Sequence, residues 1–151
     1  METALKQSGM NIHQDWHKMK TLKSITIFLL AVSAANGDSL DRFIDALCIV
    51  ESSGNHLAVG DNGKAFGILQ IHSIMIRDYN RITGERLEHK AAFDPKTARK
   101  VCRTVLLHYE GEAVAGGNWE ACARLWNGGP GWRKKKHLTD GYWAKVGREL
   151  K

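Results

Sequence analysis

Apolar residues recur at helical spacing in several separate stretches. Leu40, Phe43, Ile44, Leu47 and Cys48 form one apolar face of a helix that Asp38 or Ser39 caps and that runs to about Val50. Ser73 to Ile82 reads as a second helix, stopped before Gly84. Asp94-Pro95 supplies an N-cap followed by proline at the first helical position. Ala98, Val101, Cys102, Val105, Leu106 and Tyr109 then make a buried stripe. Gly116-Gly117 breaks the chain, and Asn118 caps a shorter helix to about Trp126. Thr139 or Asp140 opens a last helix, with Tyr142, Trp143, Val146 and Leu150 facing inward. Between these runs, residues 52–66 are rich in Gly, Asn, Ser and Asp. They read as turns or a small hairpin, tightest at Asp61-Asn62-Gly63. Residues 83–93 read as a polar loop, and Asn127-Gly128-Gly129-Pro130-Gly131 as non-helical. The pattern predicts a mainly α domain with one small β-hairpin region, without repeats or an interdomain linker.

The N-terminus follows another logic. Ile25 to Ala35 is a short apolar run preceded by Lys18, Lys20 and Lys23 and followed by small residues. That is the layout of a secretory signal peptide, with cleavage expected after Ala34 or Gly37. An uncleaved anchor or a buried helix is the alternative; the run falls short of the roughly 20 apolar residues of a membrane span. The expected division is a leader over residues 1–37, with Met19 a possible true start, and a catalytic domain over 38–151. The mature protein is expected to be secreted or periplasmic, to meet the membrane only through its signal peptide, and to be a monomer.

A chain of 151 residues, 43% hydrophobic and 25% charged, fits one ordinary folded domain. The balance is basic, 22 Lys and Arg against 16 Asp and Glu, or +6. Removing the leader leaves 18 against 14, or +4. A basic chain suits an anionic partner, and Arg133-Lys134-Lys135-Lys136 concentrates that charge. Export argues against nucleic acid and leaves a solvated loop or an electrostatic hold on anionic cell wall. There is no C-x-x-C pair, no H-E-x-x-H and no phosphate-binding glycine loop, so neither metal nor cofactor is implied.

Glu51 stands where an apolar helix enters the glycine-rich stretch. A carboxyl against hydrophobic walls has its charged form disfavoured, which suits a general acid near neutral pH. A solvated glutamate at a helix end is the bland alternative. Asp61, ten residues on, is either a second cleft carboxylate or only a turn residue. Ser52 and Ser53 can meet Glu51 or a ligand, or satisfy backbone groups at the helix end. Gly128 and Gly129 permit close backbone approach.

The strings around these residues are specific. Glu51-Ser52-Ser53-Gly54-Asn55, followed by Gly60-Asp61-Asn62-Gly63-Lys64-Ala65-Phe66-Gly67-Ile68-Leu69-Gln70, resembles the catalytic helix and β region of the lysozyme superfamily. The resemblance extends to soluble lytic transglycosylase domains and goose-type lysozymes. Ala123-Arg124-Leu125-Trp126-Asn127-Gly128-Gly129-Pro130, with Tyr142-Trp143-Ala144-Lys145-Val146, resembles invertebrate-type (destabilase-like) lysozymes. The likeness spans roughly residues 43–148. It implies a lysozyme-like fold and cleavage of the β-1,4 bond between N-acetylmuramic acid and N-acetylglucosamine in peptidoglycan. It implies Glu51 as proton donor and Asp61 as second carboxylate, hence hydrolysis, with lytic transglycosylation or an inactive wall-binding module as alternatives. Ser52, Gln70, Asn127, Gly128 and Tyr142 become substrate contacts by the same resemblance. It also implies a Cys48–Cys102 disulfide with Cys122 left free, against three separate buried thiols. Trp126 stands where the invertebrate-type enzymes often have His, so no role of that His carries over.

Overall fold

The computed structural model describes residues 39–151, which lie within one unit running from Asn36 to Lys151. The leader and its cleavage sites lie outside the described residues. Helix α1 occupies residues 39–52. Its stripe is fully withdrawn from water: Phe43, Ile44 and Leu47 are all 0% exposed. Its polar face is held by Asp45, whose carboxylate takes Arg99 at 2.5 Å, and by an Asp41–Arg103 pair. Both arginines belong to the long helix that begins at Pro95.

The β region is a three-stranded antiparallel sheet, β1 (Val59–Gly60), β2 (Ala65–Phe66) and β3 (Ile71–His72). Val59 pairs with Phe66, and Phe66 in turn with Ile71. The expected tight turn joins β1 to β2. Asp61 and Asn62 both sit at φ 53° and Gly63 at 83°, a left-handed run that Asn, Asp and Gly tolerate best. The third strand was not expected. It is two residues long, and its support comes from elsewhere: the Ile71 carbonyl lies 2.7 Å from His89 Nε2. His89 stacks on Phe66 at 4.0 Å, and Phe93 packs on the same ring at 4.8 Å. Both belong to a short 3-10 turn, His89–Phe93, inside the segment expected to be loop. Gly67 makes this packing possible. A Cβ there would stand 2.0 Å from the Ala92 carbonyl oxygen, and its φ is 75°.

Helix α2 (Ser73–Thr83) ends at Gly84, whose left-handed φ of 77° lets its N–H reach Asn80 O. Helix α3 (Pro95–Ala115) begins as the sequence predicts, with the Asp94 carboxylate accepting from Thr97 N at 2.8 Å. Its stripe is buried from Ala98 to Leu106 while Tyr109 is only half-buried, and the helix breaks at Glu110 (φ −134°, ψ 36°). Helix α4 (Trp119–Gly128) is capped by Asn118 and buries six consecutive residues, Ala121 to Trp126, so it runs through the middle of the core. It continues two residues past Trp126. Asn127 and Gly128 are helical, against the expectation, and the turn out begins at Gly129 (φ 71°). Gly128 earns its place by packing: a Cβ there would meet Thr139 Cγ2 at 2.9 Å and Trp132 Cβ at 3.0 Å. A 3-10 segment (Trp132–Thr139) leads into α5 (Asp140–Glu149).

Cys48, Cys102 and Cys122 are all buried and all free. The expected Cys48–Cys102 disulfide is therefore replaced by three separate thiols in the core. Burial pushes the Cys48 thiol up to about 11 and Cys122 up to about 12. Neutral thiols of this kind pack as small apolar groups. Among the described residues no helix is long and apolar enough to cross a membrane.

Candidate active site

Four parts of the fold converge on one cleft of about 310 Å³. The end of α1 brings Glu51, the sheet brings Asp61, Ala65, Gln70 and His72, and α4 brings Trp126 and Asn127. Met75, in the first turn of α2, completes the lining.

Glu51 is half-buried. The Tyr142 hydroxyl donates to Glu51 Oε1 at 2.6 Å, and Trp126 lines the same cleft beside it. Desolvation lifts the Glu51 carboxyl above the usual carboxylate range, against the Tyr142 hydroxyl, the Trp126 indole and the Lys145 ammonium, which pull it down. Burial beside a carboxylate pushes the Tyr142 phenol far up, so it remains a donor.

Asp61 is placed differently. Its side chain is 67% exposed on the hairpin turn, and its Oδ2 lies 3.1 Å from His72 Nε2. The two candidate carboxylates thus share a cleft but not an environment.

Gln70 reaches inward rather than across the groove. Its Nε2 donates to Gly67 O at 2.9 Å and Ala58 O at 3.3 Å, while its Oε1 occupies the space a Cβ would take at Gly60. Gln70 therefore braces the hairpin from within, with one edge open to the cleft. Its own φ is 47°. Ser52 does not line the cleft. Its hydroxyl donates to Ile68 O at 2.9 Å and ties the end of α1 to the sheet. Ser53 sits at φ 53° where the chain leaves the helix. Gly128 is likewise absent from the lining and packs against Thr139 and Trp132.

His72, Met75 and Trp126 escaped the sequence reading as cleft residues. For His72 a signal was present. It directly follows the apolar Ile71, and successive side chains of a strand point to opposite faces, so with Ile71 in the core His72 turns outward. For Met75 there was none.

An α-helical domain whose first helix delivers a desolvated glutamate into a groove edged by a small antiparallel sheet is lysozyme-like, an enzyme built to break glycan strands. The family-model comparison narrows this. Residues 29–145 match the transglycosylase SLT domain, and the chain belongs to that family. It is a peptidoglycan enzyme of the lytic transglycosylase or lysozyme-like kind. The match begins at Leu29, inside the apolar run that the sequence reading assigned to a leader. No curated protein and no solved structure matches the chain.

Proposed function

We propose that the enzyme is a lytic transglycosylase in which Glu51 acts first as acid and then as base. The observation that carries this reading is the asymmetry between the two carboxylates. Glu51 is half-buried, partly desolvated and bonded by Tyr142, whereas Asp61 is solvent-exposed and engaged by His72. A group that must protonate a leaving oxygen needs the first environment. A carboxylate that must stabilise an oxocarbenium ion through a dry interaction is poorly served by the second. Membership of the SLT family supports the same choice.

The step balances on Glu51 alone. Its carboxylic acid gives a proton to the oxygen that bridges N-acetylmuramic acid and N-acetylglucosamine, and the C1–O bond breaks. The Glu51 carboxylate then takes the proton of the muramic acid 6-hydroxyl as O6 bonds to C1. The products are a free N-acetylglucosamine hydroxyl and a 1,6-anhydro end, and Glu51 is again protonated. A hydrolytic route keeps one supporting observation, that Asp61 lines the same cleft as Glu51. We place the reaction on the wall side of the membrane, in the periplasm or outside the cell, because the substrate is there.

Mass analysis of muropeptides released by the purified domain tests the proposal. Anhydro ends are expected; reducing ends indicate hydrolysis. Asp61→Asn is expected to keep activity within a few-fold and still release anhydro ends, and loss of most turnover in that variant supports the hydrolase instead. Glu51→Gln is expected to lose at least roughly 10²-fold, the contribution of a general acid. A fully active Glu51→Gln leaves only a wall-binding module.

A further inference from the structure

Arg124 is the one charged residue among the six consecutive buried positions of α4. Its side chain is only 5% exposed. A buried guanidinium is costly unless each donor finds an acceptor. Here Nε donates to Glu120 Oε1 at 2.9 Å on its own helix. Nη1 reaches out of the helix to three oxygens, each at 2.8 Å: the Lys136 carbonyl, Thr139 Oγ1 and Asp140 Oδ1. Thr139 is itself 2% exposed and donates back to the Lys136 carbonyl. All three acceptors lie at the joint where the 3-10 segment ends and α5 begins. Tyr142, two residues beyond Asp140, is the residue whose hydroxyl meets Glu51.

We propose that Arg124 is a positioning residue for the reaction: by gripping the joint ahead of α5 it fixes where the Tyr142 hydroxyl meets Glu51. The inference rests on the role proposed for Glu51. Nothing else among the described contacts ties that joint to the central helix by side-chain bonds of comparable number. The guanidinium fork makes the grip directional, which a lysine ammonium does not reproduce. A displacement of about 1 Å in a group contacting the proton donor is enough to cost up to roughly 10²-fold in rate.

The readout is the alkaline limb of the pH profile of kcat/KM, which follows ionisation of the essential acid in the free enzyme. The groups that bear on Glu51 are Tyr142 and Lys145 from α5, Trp126 from α4, and the Cys48 and Cys102 thiols behind it. Asp61 and His72 face it from the sheet side of the cleft. Of these, the Tyr142 bond favours the charged carboxylate. Tyr142→Phe is therefore expected to move the alkaline limb upward by roughly half to one pH unit, the worth of one hydrogen bond. Arg124→Gln is expected to move it the same way, with a 10- to 100-fold loss in kcat and little change in KM. Added to Tyr142→Phe, Arg124→Gln is expected to give no further shift of the limb, because both act on one contact. Thr139→Val, which keeps shape and removes one arm of the grip, is read if Arg124→Gln does not fold, and a smaller upward shift is expected. A merely structural role lowers the melting temperature and leaves the limb where it was. That result, or additive shifts in the double variant, overturns the proposal while Glu51→Gln remains inactive. An active Glu51→Gln instead overturns the reaction on which the inference rests.

Discussion

Burial of Glu51 favours its protonated form, so ionisation of this group costs the fold stability. Its carboxyl is lifted above its ordinary value of 4.5 by desolvation, so the folded chain holds the proton more tightly than the unfolded chain. The sign follows from linkage. Stability is fully present below the unfolded value and is lost as pH rises through the raised folded value. Glu51→Gln removes the ionisation and keeps an acceptor for Tyr142. It is expected to melt higher than the parent at pH 7, with the difference vanishing below about pH 4, as thermal unfolding at the two pH values will measure. A parent that melts higher at both would mean that the site is not strained. The same logic reaches Lys145, whose ammonium lowers the Glu51 value from an exposed position on α5. Lys145→Met is expected to extend activity to higher pH while changing stability by no more than about 0.5 kcal/mol. The position of Glu51 at the end of an apolar helix was legible in the sequence. Its partners were less so, because Tyr142 stands 91 residues away and its helical spacing fits a core aromatic equally well.

At the scale of elements, legibility tracked how local the cause is. Asp94, Asn118 and Gly84 act within four residues of themselves, and each begins or ends its helix as the sequence predicts. The break in α3 has no such signal. Glu110 leaves helical geometry and points a buried carboxylate at partners more than twenty residues on. Arg133 takes it in two bonds of 2.5 and 2.8 Å, and Trp132 Nε1 donates at 3.0 Å. The guanidinium also lies over the Trp132 ring, 4.5 Å from its centroid. The third strand and the two extra residues of α4 belong with this break, since each depends on packing across the chain. The arginine–carboxylate pair holds Glu110 below the usual carboxylate range. Its contribution is thus present above the unfolded value and lost as pH falls through the lowered folded one. Arg133→Met is expected to cost about 2 kcal/mol at pH 7, less than a fully buried pair because Arg133 is 60% exposed. The cost is expected to shrink at pH 3. Urea unfolding at both pH values checks it, and an undiminished cost at low pH would assign the loss to packing on Trp132 rather than to charge.

At the scale of the whole molecule, the Glu110 pair changes what the basic run means. Arg133 is committed to the fold, and the Lys136 ammonium lies 3.1 Å from Glu120. Lys134 and Lys135 remain exposed on the same segment, just before α5 and Tyr142, whose hydroxyl meets Glu51. An anionic wall strand that enters the cleft therefore meets fewer uncommitted charges than the sequence suggests, yet they stand on the segment leading to the site. Such charges act at long range and are screened beyond about 10 Å at 0.1 M salt. The Tyr142–Glu51 contact, by comparison, is short and desolvated. Clearing of intact wall is accordingly expected to weaken as salt rises, while cleavage of a short neutral oligosaccharide is expected to change little. Lys134→Gln with Lys135→Gln is expected to flatten the salt dependence on intact wall and leave oligosaccharide turnover intact. Turbidity and product analysis over one salt series measure both. Equal salt sensitivity for the two substrates would place the effect in the cleft itself and remove the role assigned to the lysines.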